Sequence, residues 1–577
     1  MRCKLPETRV HVPCEPGRRI GRNVKVDWPA MPGKESELRG EELHPSPPLS
    51  LSLRVLRFKP CTGRLLASHL YFKMTKNDCK LVENLLRKHG FTRVYSRESY
   101  FNLLWSSGQL RTRDFRSLAQ WQRANHFPGS RVLTRKDHLY DCLRLGRLHA
   151  GVAFDFIPEY FVLPRDEKIL KAKLVDEESQ PVLIVKPVGS SRGRGIFLTA
   201  NVLEVLEQPA ELPQLVSSYI SNPLLIDGHK FDVRLYVAVT SFSPLIAYIY
   251  SEGIVRLASE QYSLDAENVH FVHLTNYSLN KKNSSFIRNE TLDREDLGHK
   301  WTLGALLRRL DLQGHDTKML MLRVEDVVVK TLLAAAPSIA AASRRIPLSH
   351  PSSCFELFGF DILIDDHLKP WLLEVNLSPS LSCDAPLDEV LKTRMVCDLL
   401  SLICLPVPGP PIKISTTVSN NKTRPVPLKG PTVSMASLTA KIRAEESCKN
   451  GFIRLFPRPS FPLYKFLLSK DSLDLSLCEW LFPFVNGSYE EDFCTLHSEL
   501  METSQFPSFP NLSASTQKHL AESYHAADFY LQIKLRRTEI MSLGESRDIS
   551  KKPNNSSGKR SRRSGRGRGV ARLRSST

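Results

Sequence analysis

Two apolar runs split by a short polar break, FELFGFDILIDD and LKPWLLEVN over residues 355–376, constrain this chain more than any other feature. Runs this apolar belong inside a folded body, and two so close together read as a β-hairpin turning near His367. Residues i and i+2 of a strand share a face. That alternation sets Asp361 roughly opposite Glu374 and puts Asn376 on the same surface, with Leu372 beside them and with Leu363 and Asp365 on the face of Asp361. Ile362, Ile364, Trp371, Leu373 and Val375 then fill the core. A carboxylate in an apolar run is costly unless it is paired, hydrogen-bonded or metal-bound. Two carboxylates and a carboxamide are hard oxygen donors of the kind magnesium takes together with substrate phosphates. A solvated hairpin face is the plain alternative, but acids that interrupt dense apolar runs favour the metal.

Three further stretches carry chemistry. In VLIVKPVGSSRGRGIFL, 182–198, a buried strand ends at Lys186 and a loop with Gly189, Gly193 and Gly195 leads into another strand. Glycines let backbone approach a phosphate, and their N–H groups cradle anions. The spacing is not that of a Walker A loop, and no helix follows as in a Rossmann turn. In KFDVRLYV, 230–237, Lys230, Asp232 and Arg234 alternate with Phe231, Val233 and Leu235, so charge lines one face; a strand facing water would read the same way. HLTNYSLNKK, 273–282, reads by itself as a loop.

The 577 residues allow two to four domains. The net charge of +19 is uneven. Residues 551–577 hold ten Lys/Arg and no acid, and residues 1–60 hold twelve against seven, so the body between is close to neutral. The basic ends suggest an acidic partner. Twelve scattered cysteines without a C-x-x-C pair argue against a zinc ribbon and a disulfide framework, and fit reduced thiols in the cytosol. The N-terminus lacks the apolar core of a signal peptide, and the most apolar stretches are short and broken by proline, so no membrane span is expected. The tail GKRSRRSGRGRGVARLR, 558–574, has no interleaved aromatics to stack on bases, which counts against nucleic acid.

Strands are expected in PVLIVKP, LPQLVSSYI, KFDVRLYVAVTS and LIAYIYSEGIVRLA, and helices over 76–90, 301–345 and 386–404. The helix over 76–90 is expected to start at Asp78 as N-cap and to stop at Gly90. Residues 1–60 and the tail 546–577 read as disordered.

Taken in order, KP-V-GSSRGRG (186–195), KFDVRLYV, HLTNYSLNKK, GHKW (298–301), ELFGFDIL (356–363) and WLLEVNLSPSL (371–381) resemble the tubulin tyrosine ligase-like family. YFNLLW (100–105), NHFPGS (125–130) and RKDHLY (135–140) are similar to it upstream. The likeness covers roughly 76–405. CFELFGFDIL and SLSCDAPLD (380–388) bring it closest to one member of the polyglutamylase branch. The resemblance implies an α/β (α+β) protein of ATP-grasp fold. Its N-terminal α/β domain would span 61–180, and its ATP-grasp central and C-terminal domains 181–405. A linker and abbreviated cationic microtubule-binding region would follow at 406–460, then a helical region at 461–545.

It also implies roles. Lys186, Arg192, Gly193, Lys230, Asp232, Thr275 and Asn276 would bind ATP, with the hinge strand Leu215, Val216, Ser217, Ser218, Tyr219 and Ile220. Relatives commonly carry Arg at the position of Ser218. Asp361, Glu374 and Asn376 would hold Mg2+. Arg192, Arg256, Tyr277, Ser278, Lys300, Asn376 and Lys392 would receive free L-glutamate. Lys186, Arg192 and Arg234 would act in catalysis, the two arginines at the acceptor or acyl-phosphate.

The activity implied is ligation of glutamate to γ-carboxylates in acidic tubulin tails, initiating branches with a preference for α-tubulin. Other glutamate-rich proteins would be further candidate acceptors. The expected enzyme is a monomer of the cytoplasm and cytoskeleton, at basal bodies or centrosomes, without membrane or nucleic-acid partners. Ligation of glycine or tyrosine, a microtubule-binding protein with a dead core, and a nucleic-acid binder driven by the tail are the competing readings. The intact Lys186, Lys230, Asp361, Glu374 and Asn376 disfavour a dead core.

Overall fold

The computed structural model describes residues 70–482 apart from 76–78, 96–99, 176–180, 191, 208–212, 266–268, 347, 349 and 406–433. The expectations for 1–60 and 546–577, and most of those for 406–460 and 461–545, fall outside these residues.

Strands β1 (Leu70–Thr75), β2 (Phe91–Val94), β3 (Leu103–Ser106) and β4 (Arg123–Ala124) form a parallel sheet in the order β2-β1-β3-β4. Parallel neighbours need a crossover. Helix Lys80–Lys88 supplies one, burying Val82, Leu85 and Leu86. Cys79 stands at its N-cap without a capping side chain, whereas Asp78 lies outside the described residues.

A second, antiparallel sheet follows: β5 (Tyr160–Leu163), β6 (Leu183–Pro187), β7 (Phe197–Thr199) and β8 (Gln214–Ser218), ordered β5-β8-β6-β7. Strand alternation gives it two faces. Leu183, Val185 and Val216 pack on Leu170, Val202 and Val205 from helices Glu167–Val175 and Val202–Glu207. Ile184 faces away from them and packs with Tyr219 and Leu274.

The largest sheet is built on one 14-residue strand. Its members are β9 (Leu225–Ile226), β10 (His229–Phe242), β11 (Leu245–Tyr250), β12 (Ile254–Leu257), β13 (Lys300–Thr302), β14 (Glu356–Ile364), β15 (Pro370–Asn376) and β16 (Phe452–Phe456). Strand β10 pairs along one edge with β14, and along the other with β12 and then β11. Strands β15, β13 and β16 extend the sheet beyond β14, β12 and β11. Phe231, Val233, Leu235 and Val237 point into a core shared with helices Leu303–Leu312 and Thr317–Arg344. Asp316 caps the longer helix, accepting from the N–H groups of Lys318 and Met319. On the opposite face Tyr236, Ala238, Tyr248 and Tyr250 pack with helices Pro386–Leu402 and Met435–Cys448.

The hairpin forms with Asp361 paired to Glu374, but the assignment of its faces needs correction. Asp361 opposes Glu374 while Ile362 opposes Leu372, so Leu373 is the extra residue of a β-bulge. A bulge sets two residues against one and reverses the alternation beyond it. Leu372 is therefore fully buried with Ile362, Ile364 and Val375, whereas Leu373 lines the cleft beside Glu374. Trp371 is half-buried and donates its indole N–H to Asp365 Oδ2 at 2.8 Å.

Candidate active site

A cleft of about 910 Å³, open solvent included, lies between the second sheet and the polar end of the large one. The second sheet contributes Ile184, Lys186 and, at the end of β8, Ser217, Ser218, Tyr219 and Ile220. Leu215 and Val216, assigned to the same hinge, are fully buried in the cores on either side and do not line the cleft. Arg192 and Gly193 reach the cleft from the glycine loop. Gly193 has φ +74, and an added Cβ there would collide with the Leu279 side chain and lie 3.0 Å from Asn276 Oδ1. Only glycine lets this loop pass so close to the segment opposite.

That opposite segment, 273–280, is locally fixed. Asn280 donates to the Leu274 carbonyl at 2.7 Å and accepts from the Ser259 N–H and hydroxyl at 2.8 Å. The loop reading of its first residues holds, and it presents His273, Leu274, Thr275 and Asn276 to the cleft before a short helix, Tyr277–Asn280.

The floor is the polar face of the large sheet. Register stacks its charges in two rungs, Asp232↔Arg256↔Lys300 and Arg234↔Asp361↔Glu374. Arg256 donates to Asp232 Oδ1 at 2.7 Å and to Asp361 Oδ2 at 2.9 Å, and also pairs with Asp232 Oδ2. Arg234 grips Asp361 in two-point fashion, with Nη2 2.8 Å from Oδ2 and Nε on Oδ1. Burial alone would raise Asp361, but Arg234 and Arg256 outweigh it and hold the carboxyl well below the usual range. For Asp232 burial wins over Arg256, and its carboxyl is raised.

Asn376 Nδ2 lies 3.3 Å from Glu374 Oε1 and 3.5 Å from Asp361 Oδ2, so the three oxygen-bearing side chains converge. Lys136 Nζ sits 2.9 Å from Glu374 Oε2. Among the described residues no group of three or more His, Cys, Asp or Glu gathers as a metal cage. Two carboxylates and a carboxamide beside a cleft nevertheless fit magnesium, which keeps water and phosphate oxygens in its shell and needs few protein ligands.

Two lysines reach the cleft from different sheets. Lys186 is pushed down to about 8 by burial and by Lys136, against the pull of Glu374. Lys230 is pushed down to about 7 by burial and by Lys186, against Asp232. Two amines whose charge is disfavoured in this way are poised for an anion.

Beyond Arg256 the structure gathers a second cationic cluster. Asp388 holds Lys300 at 2.7 Å and Lys392 at 2.9 Å, and Lys392 also donates to the Ser382 carbonyl at 2.5 Å. The Lys300 ammonium lies 3.7 Å from the centroid of the Tyr277 ring. Ser278 is half-buried on the same short helix. Burial lowers Lys300 despite Asp388; for Lys392 the neighbouring Tyr236 and Asp388 outweigh burial and raise it.

Sequence reasoning missed three contributors: Lys136, His273 and Asp388. All lie in stretches that were singled out, RKDHLY, HLTNYSLNKK and SLSCDAPLD, but nothing in the chain's spacing distinguishes them from their neighbours.

A model of the tubulin-tyrosine ligase family matches residues 115–413. A Caenorhabditis elegans protein named tubulin polyglutamylase ttll-5 is 48% identical over 352 residues, which are 59% of this chain and 48% of that protein. A human protein named tubulin polyglutamylase TTLL5 is 39% identical over 460 residues, 72% of this chain and 35% of its own length. A mouse protein named tubulin monoglutamylase TTLL4 is 42% identical over 308 residues, 53% of this chain and 25% of its own. The chain thus spans about half the length of the worm relative and about a third of the human one.

Proposed function

The chain belongs to the tubulin-tyrosine ligase family, and on that premise we propose that it is an ATP- and magnesium-dependent protein–glutamate ligase acting on the acidic tails of tubulin. The observation that carries this reading is the convergence, on one cleft, of Lys186 and Lys230 from two sheets with the Asp361–Glu374–Asn376 group.

The chemistry follows from the side chains. The Ser217–Ile220 edge would receive the base of ATP, and the glycine loop, Lys186 and Lys230 would receive its phosphates. Asp361, Glu374 and Asn376 would hold magnesium, which would supply neutralisation of phosphate charge. The γ-phosphoryl group passes to a γ-carboxylate of the acceptor, releasing ADP and leaving an acyl-phosphate. The amine of free glutamate attacks that carbonyl, phosphate departs, and an isopeptide bond forms. Lys300 and Lys392 offer cations to the two carboxylates of the incoming glutamate. Arg192, at the cleft mouth, and Arg234, fixed by Asp361, offer charge to the acceptor or the acyl-phosphate. Most of the rate then comes from positioning and electrostatics.

The names of the worm and human relatives, which specify tubulin and polyglutamylation, support the acceptor class. Initiation of branches, preference for α-tubulin, a monomeric state and a cytoskeletal or basal-body address belong to the same proposal and rest on resemblance.

The test is a competition. Purified microtubules, ATP and equal labelled glutamate, glycine and tyrosine should give incorporation of glutamate. Acceptor carboxylates carrying oxygen-18 should deliver one labelled oxygen to the phosphate released. Glycine or tyrosine incorporation, or unlabelled phosphate, contradicts the reading.

A further inference from the structure

Along the cleft wall runs a chain of three polar side chains, Lys230, Tyr219 and His273, of which the ligase chemistry assigns no role to His273. Lys230 Nζ donates to the Tyr219 hydroxyl at 2.8 Å, and that hydroxyl lies 2.8 Å from His273 Nδ1. The three residues come from three places: Tyr219 from the end of β8, Lys230 from β10, and His273 from the segment that carries Thr275 and Asn276. All are buried, His273 at 3% exposure.

An ammonium group has only donors, so the phenol oxygen accepts from Lys230. The phenol hydrogen can go to His273 Nδ1 when the ring hydrogen sits on Nε2, or to the neighbouring Tyr262 hydroxyl, whose own hydrogen goes to the Ser221 carbonyl. We adopt the first arrangement. Burial and the Lys230 charge push His273 down to about 4, so the imidazole stays neutral and able to accept. The ring is also held edge-on to two tyrosines, Tyr219 at 5.5 Å and Tyr262 at 5.4 Å between centroids. The Lys230 ammonium lies 4.3 Å from the Tyr219 centroid and 6.0 Å from that of Tyr262. The groups facing Lys230 are therefore Lys186 from β6, Asp232 on its own strand, the two tyrosines and, through Tyr219, His273.

We infer that His273 is a positioning residue for nucleotide binding, acting through Tyr219 to orient the Lys230 ammonium and keep it charged. Of the groups around Lys230, Lys186 repels its proton, while Asp232 is already engaged by Arg256. The phenol, made a better acceptor by giving its own hydrogen to the imidazole, supplies stabilisation that offsets this. The inference rests on the proposed use of ATP and adds to it the device that keeps one phosphate-binding amine protonated.

The test measures ATP affinity by titration calorimetry from about pH 6 to about pH 9 on the full chain and on three variants. His273→Phe keeps the ring packing but accepts no hydrogen bond. His273→Asn restores an acceptor close to Nδ1. Tyr219→Phe removes the relay itself. Wild-type affinity should fall as Lys230 loses its proton, around the value of about 7 in the free protein and higher with phosphate present.

His273→Phe and Tyr219→Phe should weaken ATP binding about tenfold near neutrality and move that fall about one pH unit lower, as loss of a hydrogen bond to a charged group implies. His273→Asn should keep the wild-type midpoint. A packing role alone would lower melting temperature without moving the midpoint. An unmoved midpoint in a folded His273→Phe protein overturns the inference, and if that variant does not fold, Tyr219→Phe decides in the same way. Wild-type protein that binds no ATP at any pH would instead overturn the ligase reading, and the inference with it.

Discussion

Lys230 is buried with a phenol as the partner of its ammonium, and the energetic consequence is a sign that can be measured. Its folded value lies near 7, far below the ordinary lysine value of 10.5. Between those two pH values the unfolded chain binds a proton that the folded chain has shed, so stability rises with pH across that window. Melting temperature should climb from about pH 7 to about pH 9. Saturating ATP should flatten the climb, because phosphate restores the proton. A melting temperature that falls over this range without ligand contradicts the assignment. Asp388 tests the second cluster: it holds two lysines at once, and Asp388→Asn removes the charge that keeps them together. The KM for glutamate should rise about tenfold or more while the KM for ATP changes little, given that charge-assisted hydrogen bonds contribute on the order of 1.5–3 kcal/mol. Equal changes in both would indicate general loosening of the site.

At the scale of elements, the glycine loop and the hairpin carry the argument. Gly193 needs both a positive φ and the space beside Leu279. Gly193→Ala should leave the melting temperature within a few degrees and raise the KM for ATP about tenfold; an unchanged KM would mean that the loop does not approach the phosphates. The hairpin also shows what a sequence tells and withholds. Its existence, its turn and the pairing of Asp361 with Glu374 were legible, because apolar runs and a period of two are local signals. The bulge at Leu373 was not, since one extra residue leaves the apolar run unbroken and yet exchanges Leu372 with Leu373 between core and cleft. Lys300 and Arg256 were named from resemblance; that they stand side by side on adjacent strands follows from register, which no single segment encodes. The Lys136–Glu374 contact joins residues more than two hundred positions apart and left no mark in either stretch.

For the whole molecule, the segment that follows the undescribed 406–433 is part of the large sheet. Strand β16 pairs with β11 through Phe452, Ile453, Arg454 and Phe456. Glu445, on the helix before it, accepts from the Tyr248 hydroxyl at 2.8 Å and the Thr240 hydroxyl at 3.1 Å. Arg458 reaches Glu325 on the long helix at 2.6 Å, both side chains buried. Breaking a buried pair of this kind costs about 3–5 kcal/mol, and a bared β11 edge invites aggregation. A chain ending at residue 433 should accordingly be insoluble or unfolded, as judged by circular dichroism and gel filtration. Removing 546–577 should leave both folding and ligation intact. A soluble, folded protein ending at 433 would show that β16 is dispensable.

The most direct measurement of the central claim compares wild type with Glu374→Gln in mass spectrometry of tubulin tails after incubation with ATP, magnesium and labelled glutamate. The account predicts labelled glutamate on wild-type-treated tails and a loss of at least about a hundredfold in the variant, in keeping with removal of a charge that holds the metal. The melting temperature should be near that of wild type. Wild-type rates from a folded Glu374→Gln protein, or no glutamate added by wild type, would contradict it.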